Sequence, residues 1–144
     1  MKIAFRSIIF LVLGAVLLTG CNPVKRLRNQ ERMVQLDSVV NNYRKLMRWG
    51  YFDQAVQYLK VQEGEVVLPD LEKLGQFKVT NYSVAEQVLS ESESEAKVIA
   101  YIDFYSVDTG VAGSVRDEQL WWFDAETKRW SLGTPMVNFA DYVR

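Results

Sequence analysis

The sequence predicts an α+β domain, with N-terminal helices packed on a curved four-stranded antiparallel sheet. Three observations predict it. Met33, Leu36, Val40, Tyr43 and Met47 recur at steps of three and four, the stripe of an amphipathic helix. From Phe77 onward the texture becomes alternating, most clearly in Val98, Ala100, Ile102 and Phe104, the period of a strand with one buried face. Short polar and glycine turns divide this region into four runs, as in an antiparallel meander.

The chain opens with Lys2 and Arg6, and Ile8 to Leu18 is apolar apart from Gly14. A cationic start followed by a short apolar run is the pattern of an export signal. A run of eleven residues falls short of the roughly 20 that a spanning helix needs, so the segment reads as removable. It ends in Leu18-Thr19-Gly20-Cys21, which resembles the lipobox of bacterial lipoproteins. The resemblance implies that Leu18, Thr19 and Gly20 are recognised by the signal peptidase. It also implies cleavage before Cys21, a diacylglyceryl group on the Cys21 sulfur and an acyl chain such as palmitate on its amine. Two or three chains hold firmly where one is marginal. Asn22 stands where lipoproteins retained in the inner membrane commonly carry aspartate, so the same resemblance favours the outer membrane, facing the periplasm. The expected organisation is a signal peptide over 1–20, a lipidated membrane-proximal tether over 21–29 and one α+β domain over 30–144.

Cleavage leaves enough chain for one domain with a real core. Losing Lys2 and Arg6 from 17 cations leaves 15 against 18 acids, a net charge of −3, which argues against a nucleic-acid partner. There is no histidine, and Cys21 is the single cysteine. The usual general base near neutral pH is therefore absent, as are Ser-His and Cys-His pairs and His- or Cys-based metal sites. No cofactor is expected.

Asn22-Pro23 suits a helix start. The stretch from Val24 to Arg32 carries Lys25, Arg26, Arg28 and Arg32 against Glu31: either a patch for anionic lipid or a solvated helix face. The Met33–Met47 stripe follows, and Gly50 suits the stop. A second helix is expected from Asp53, as its N-cap, to about Lys60. Glu63-Gly64 marks a turn, Val66 to Leu68 a short extended piece, and Asp70 to Leu74 one helical turn closed by Gly75. Strands are expected over Phe77 to about Leu89, Ala96 to Val107, Val115 to Phe123 and Arg129 to Leu132. Asp108-Thr109-Gly110 and Asp124-Ala125-Glu126-Thr127 supply turns. Gly133 and Pro135 end the sheet, and Phe139 and Tyr142 tuck the tail back.

The order of elements resembles the NTF2-like and cystatin-like group, in which a bent sheet wraps a long helix into a cone. The helix around Tyr43, the Trp49–Leu59 segment and the pair Gln119-Leu120-Trp121-Trp122-Phe123 and Arg129-Trp130-Ser131-Leu132 carry the resemblance. Trp49-Gly50-Tyr51-Phe52-Asp53-Gln54-Ala55 also resembles the turn of a tetratricopeptide pair, but a single copy does not make a solenoid.

The candidate binding surface is Tyr101, Asp103, Tyr105, Trp121 and Trp122. Tyr101, Asp103 and Tyr105 alternate onto one strand face, where Trp121 could join them. In NTF2-like enzymes the concave face carries an acid–base pair, and desolvation would have to raise the pKa of Asp103 for such a use. The alternative is an ordinary amphipathic strand. Trp121 and Trp122, being adjacent, point to opposite faces, so one of them should lie away from the helices. Glu91, Glu93 and Glu95 read as a solvated hairpin tip rather than a weak calcium site. The leading expectation is a non-catalytic envelope module, tethered to a membrane by Cys21, that binds a protein or small ligand through its sheet. The alternatives are a small-molecule or enzymatic NTF2-like pocket and, last, a helical-repeat adaptor.

Overall fold

A computed structural model describes residues 23–143. The expected signal peptide, Leu18, Thr19, Gly20 and the lipidation site Cys21 lie outside the described residues. Two compact units are distinguished, Met1–Glu31 and Arg32–Arg144. The described part of the first is helical, and the second holds the sheet and its core. No helix among the described residues is long and apolar enough to cross a membrane.

Among the described residues the first helix, α1 (Pro23–Trp49), begins at the proline, whose missing N–H costs nothing in a first turn. Its predicted stripe is the observed one: Leu36, Val40, Tyr43 and Met47 are buried, and Met33 is partly buried against them. Burying side chains of this size contributes about 1.5–3 kcal/mol each. Gly50 ends the helix at φ +76°, a conformation a β-carbon disfavours. Gly50 N–H donates to Met47 O at 3.3 Å and Tyr51 N–H to Leu46 O at 2.9 Å, the paired bonds of a Schellman stop.

The second helix is shorter than expected. It comprises α2 (Phe52–Ala55) and a 3₁₀ turn over Val56–Tyr58, and Asp53 lies inside α2 rather than capping it. The chain straightens at Leu59, which forms a parallel bridge with Leu132 while Lys60 N–H donates to Leu132 O at 3.0 Å; pairing with the sheet takes the backbone groups that a longer helix would have used. Val66 to Leu68 pairs with no strand, and Val67 and Leu68 are exposed. Asp70 caps α3 (Leu71–Gly75) by accepting from Lys73 N–H at 3.1 Å.

The sheet has the order β1 (Phe77–Leu89), β2 (Glu95–Ser106), β3 (Ala112–Asp124) and β4 (Arg129–Leu132), antiparallel throughout. The α+β class and the helix-on-sheet arrangement are as the sequence predicts. Register shifts between Val79 and Asn81 and between Val84 and Glu86 bend β1. One sheet face carries Tyr82, Val98, Ala100, Ile102, Phe104, Val115, Trp121 and Leu132, all buried. Tyr43 of α1 meets Trp121 edge-on at 5.5 Å, and Tyr58 closes the trio. In the tail, Phe139 packs on Phe104 at 4.6 Å, whereas Tyr142 stays exposed.

The hairpin tip between β1 and β2 is less solvated than expected. Phe123 N–H donates to Ser94 O at 2.7 Å, so the tip folds against the end of β3, and Glu93, at φ +60°, is only 3% exposed.

Candidate surface and interior sites

On the sheet face away from α1, β2 presents Ile99, Tyr101, Asp103 and Tyr105. Tyr101 is 45% exposed and Tyr105 39% exposed. Asp103 sits between them and is held from both neighbouring strands: Ser114 Oγ donates to Oδ1 at 2.6 Å and Asn81 Nδ2 to Oδ2 at 3.2 Å. Those two bonds favour the carboxylate and hold its pKa below the usual range. The shift is opposite to the one that acid–base use of Asp103 requires. Opposite Tyr101, Arg116 pairs with Glu118, which also bonds Lys97 at 2.8 Å; these partners lower the Glu118 pKa to about 2. The outer face thus carries a network of bonded charged and polar groups with two tyrosines standing in it.

Trp121 does not join this surface. It pairs in register with Ala96, on the helix-facing side, and is fully buried. Trp122 pairs with Glu95 and lies on the outer side, half-buried. Its indole N–H donates to Lys60 O, and the Lys60 ammonium lies 5.3 Å from the ring centroid. With Val61, Glu95 and Leu120 it lines a depression of about 360 Å³. The predicted surface therefore splits into Tyr101–Asp103–Tyr105, the Trp122 depression, and a core tryptophan.

A polar network inside the domain has no counterpart among the predicted site residues. Along β3 the helix-facing positions are Val115, Asp117, Gln119, Trp121 and Phe123. Gln119 is buried and uses its whole amide: Nε2 donates to Tyr82 Oη and to Asp117 Oδ2, both at 2.6 Å, and Oε1 accepts from Trp121 Nε1 at 3.0 Å. Burial pushes the Asp117 carboxyl up, with Gln119 drawing it partly back. It also pushes up the phenols of Tyr82 and Tyr43, the latter with no hydrogen-bond partner for its hydroxyl among the described residues. The signal was present in the sequence: two polar residues occupy the apolar phase between Val115 and Trp121. With Tyr82, Trp121 and Gln119 itself buried and the Gln119 amide fully bonded, the cluster reads as a hydrogen-bonded network of the core.

No family model matches the chain, and no curated protein matches it. A solved structure of an epoxide hydrolase/cyclase-like enzyme, SalBIII, studied for pyran ring formation in the polyether salinomycin, is similar with a TM-score of 0.49 and 12% identity. The match covers 73% of this chain and 92% of that one. A likeness that weak carries nothing about activity. Among the described residues, no cluster of three or more acids could hold a metal ion.

Proposed function

We propose that this chain is a lipid-anchored, non-catalytic module of the bacterial envelope that binds another envelope protein through the outer face of its sheet. The supporting observation is the pair of exposed tyrosines, Tyr101 and Tyr105, flanking a carboxylate fixed by Ser114 and Asn81. Tyrosines held on a strand lose little entropy on binding and are favoured at interface centres. Exposed Leu120 and Val88 extend the apolar area on the same side. The membrane anchor is supported by the lipobox-like Leu18-Thr19-Gly20-Cys21 and the short apolar run before it.

Two measurements test this. Mass spectrometry of the protein from bacterial membranes should give a mature chain beginning at an acylated Cys21, and Cys21→Ser should abolish both acylation and cleavage. A photo-crosslinking residue placed at Tyr101 in the full-length lipoprotein, expressed in living cells, should yield a discrete adduct with one envelope protein. The same adduct should weaken in a Tyr105→Ala background. Normal protein levels with no adduct at position 101 or 105 would remove the outer face from consideration.

A further inference from the structure

A groove of about 1030 Å³ runs between α1, the α2–3₁₀ segment and the β3–β4 hairpin. Its wall includes the consecutive residues Thr127 to Ser131, of which Arg129, Trp130 and Ser131 belong to β4. Strand side chains alternate between faces, so a run of neighbours lining one groove means that the groove abuts the strand's edge. β4 is the last strand of the sheet, with β3 on one side only. Among the described residues, backbone pairing on its open side reaches only Leu132, through the Leu59 bridge and Lys60 N–H. Gly133 N–H turns inward to Leu120 O. Strand alternation then directs the backbone N–H and C=O of Trp130, two residues before Leu132, outward into the groove. The Trp130 indole N–H, in a residue only 3% exposed, has no hydrogen-bond partner among the described residues. One buried residue on the groove wall thus combines an edge-facing backbone with an indole N–H that has no partner among the described residues.

The charge in the groove has one sign. Lys60, Lys128 and Arg129 line it, and none of its lining residues is acidic. Lys60 is shared with Asp124 at 2.8 Å, while Lys128 and Arg129 are in no ion pair among the described residues.

We infer that this groove receives an extended acidic segment of a partner protein, which adds to the edge of β4 beside Trp130 with its carboxylates at Lys128 and Arg129. Strand addition takes affinity from main-chain bonds and selectivity from side-chain pockets. The site is separate from the outer face and stands without it.

The test titrates the full lipidated protein, in detergent micelles, with an octapeptide alternating Glu and Val, read by ¹⁵N NMR. The backbone amide and indole N–H of Trp130 should both shift saturably. A double variant, Lys128→Glu with Arg129→Glu, should weaken binding about tenfold or more while keeping its dispersed spectrum, since both positions are exposed. An unmoved Trp130 amide would overturn the inference. So would equal binding of an octapeptide alternating Lys and Val, and so would citrate reproducing the same shifts, which would mean a general anion site.

Discussion

Gln119 on β3 donates to the hydroxyl of Tyr82 on β1 at 2.6 Å, reaching across the intervening strand. Between them β2 presents Ala100, opposite Asp117 and Val84. Its small side chain leaves room for the contact.

Replacing Gln119 with Leu should therefore be costly despite similar volume. It strands the Trp121 indole N–H without its acceptor and removes the donor shared by Tyr82 and Asp117. Each stranded group costs about 1–3 kcal/mol. Urea unfolding of Gln119→Leu should show a lower midpoint with an unchanged slope, the mark of a folded-state loss.

Asp117 predicts an unusual pH response. A carboxyl raised above its unfolded value, about 3.9, leaves the folded chain holding more protons than the unfolded one between those two values. Its contribution falls as pH rises through that window. Asp117→Asn should accordingly stabilise the domain most above the folded pKa of Asp117, with the advantage vanishing in acid below the unfolded value. Asp103, Glu118 and Asp124, all lowered, act in the opposite sense: their contributions are present above the unfolded value and are lost as pH falls. Thermal melts of both proteins across a pH series would show the two curves converging in acid.

Gly113 lies directly under the ring of Phe104, its register partner. A β-carbon there would meet Phe104 Cζ at 2.6 Å and the Tyr142 carbonyl oxygen at 3.1 Å. Gly113→Ala should cost about 1–3 kcal/mol by overpacking and loosen the Phe104–Phe139 contact, seen as a lower melting temperature and faster exchange of amides in the tail.

The adjacent tryptophans should behave as two different residues. Trp121→Ala empties the core beside Tyr43 and should cost about 3–5 kcal/mol. Trp122→Ala should cost less, releasing Lys60 and the segment around it. Fluorescence should separate them in a Trp49→Phe background, which removes the exposed indole of Trp49: the acrylamide-quenchable emission should then fall in the Trp122 variant and persist in the Trp121 variant, because the Trp121 ring is sealed.

Much of the fold was legible because one pattern per element decided it. The Met33–Met47 stripe and the Val98–Phe104 alternation each specify a face without reference to anything distant. Other features depended on pairing between strands. The sequence alone allows Trp121 to join Tyr101, because faces can be compared between strands only once register is known, and register places Trp121 opposite Ala96. The shortened second helix follows from Leu59 meeting Leu132, a contact that no local propensity encodes. The inward Asp117 and Gln119 were legible in principle, since they keep phase with Val115 and Trp121.

The two bulges of β1 divide it into three short phrases, each with its own parity. Phe77 and Val79 face the core on odd numbers, Tyr82 and Val84 on even, and Leu89 on odd again. Where an uninterrupted strand transmits a one-residue slip along its whole length, here a slip need travel only to the next irregularity. This edge of the sheet is therefore where the gain or loss of a single codon would be most easily absorbed, and where related chains would differ in length while keeping the same interior.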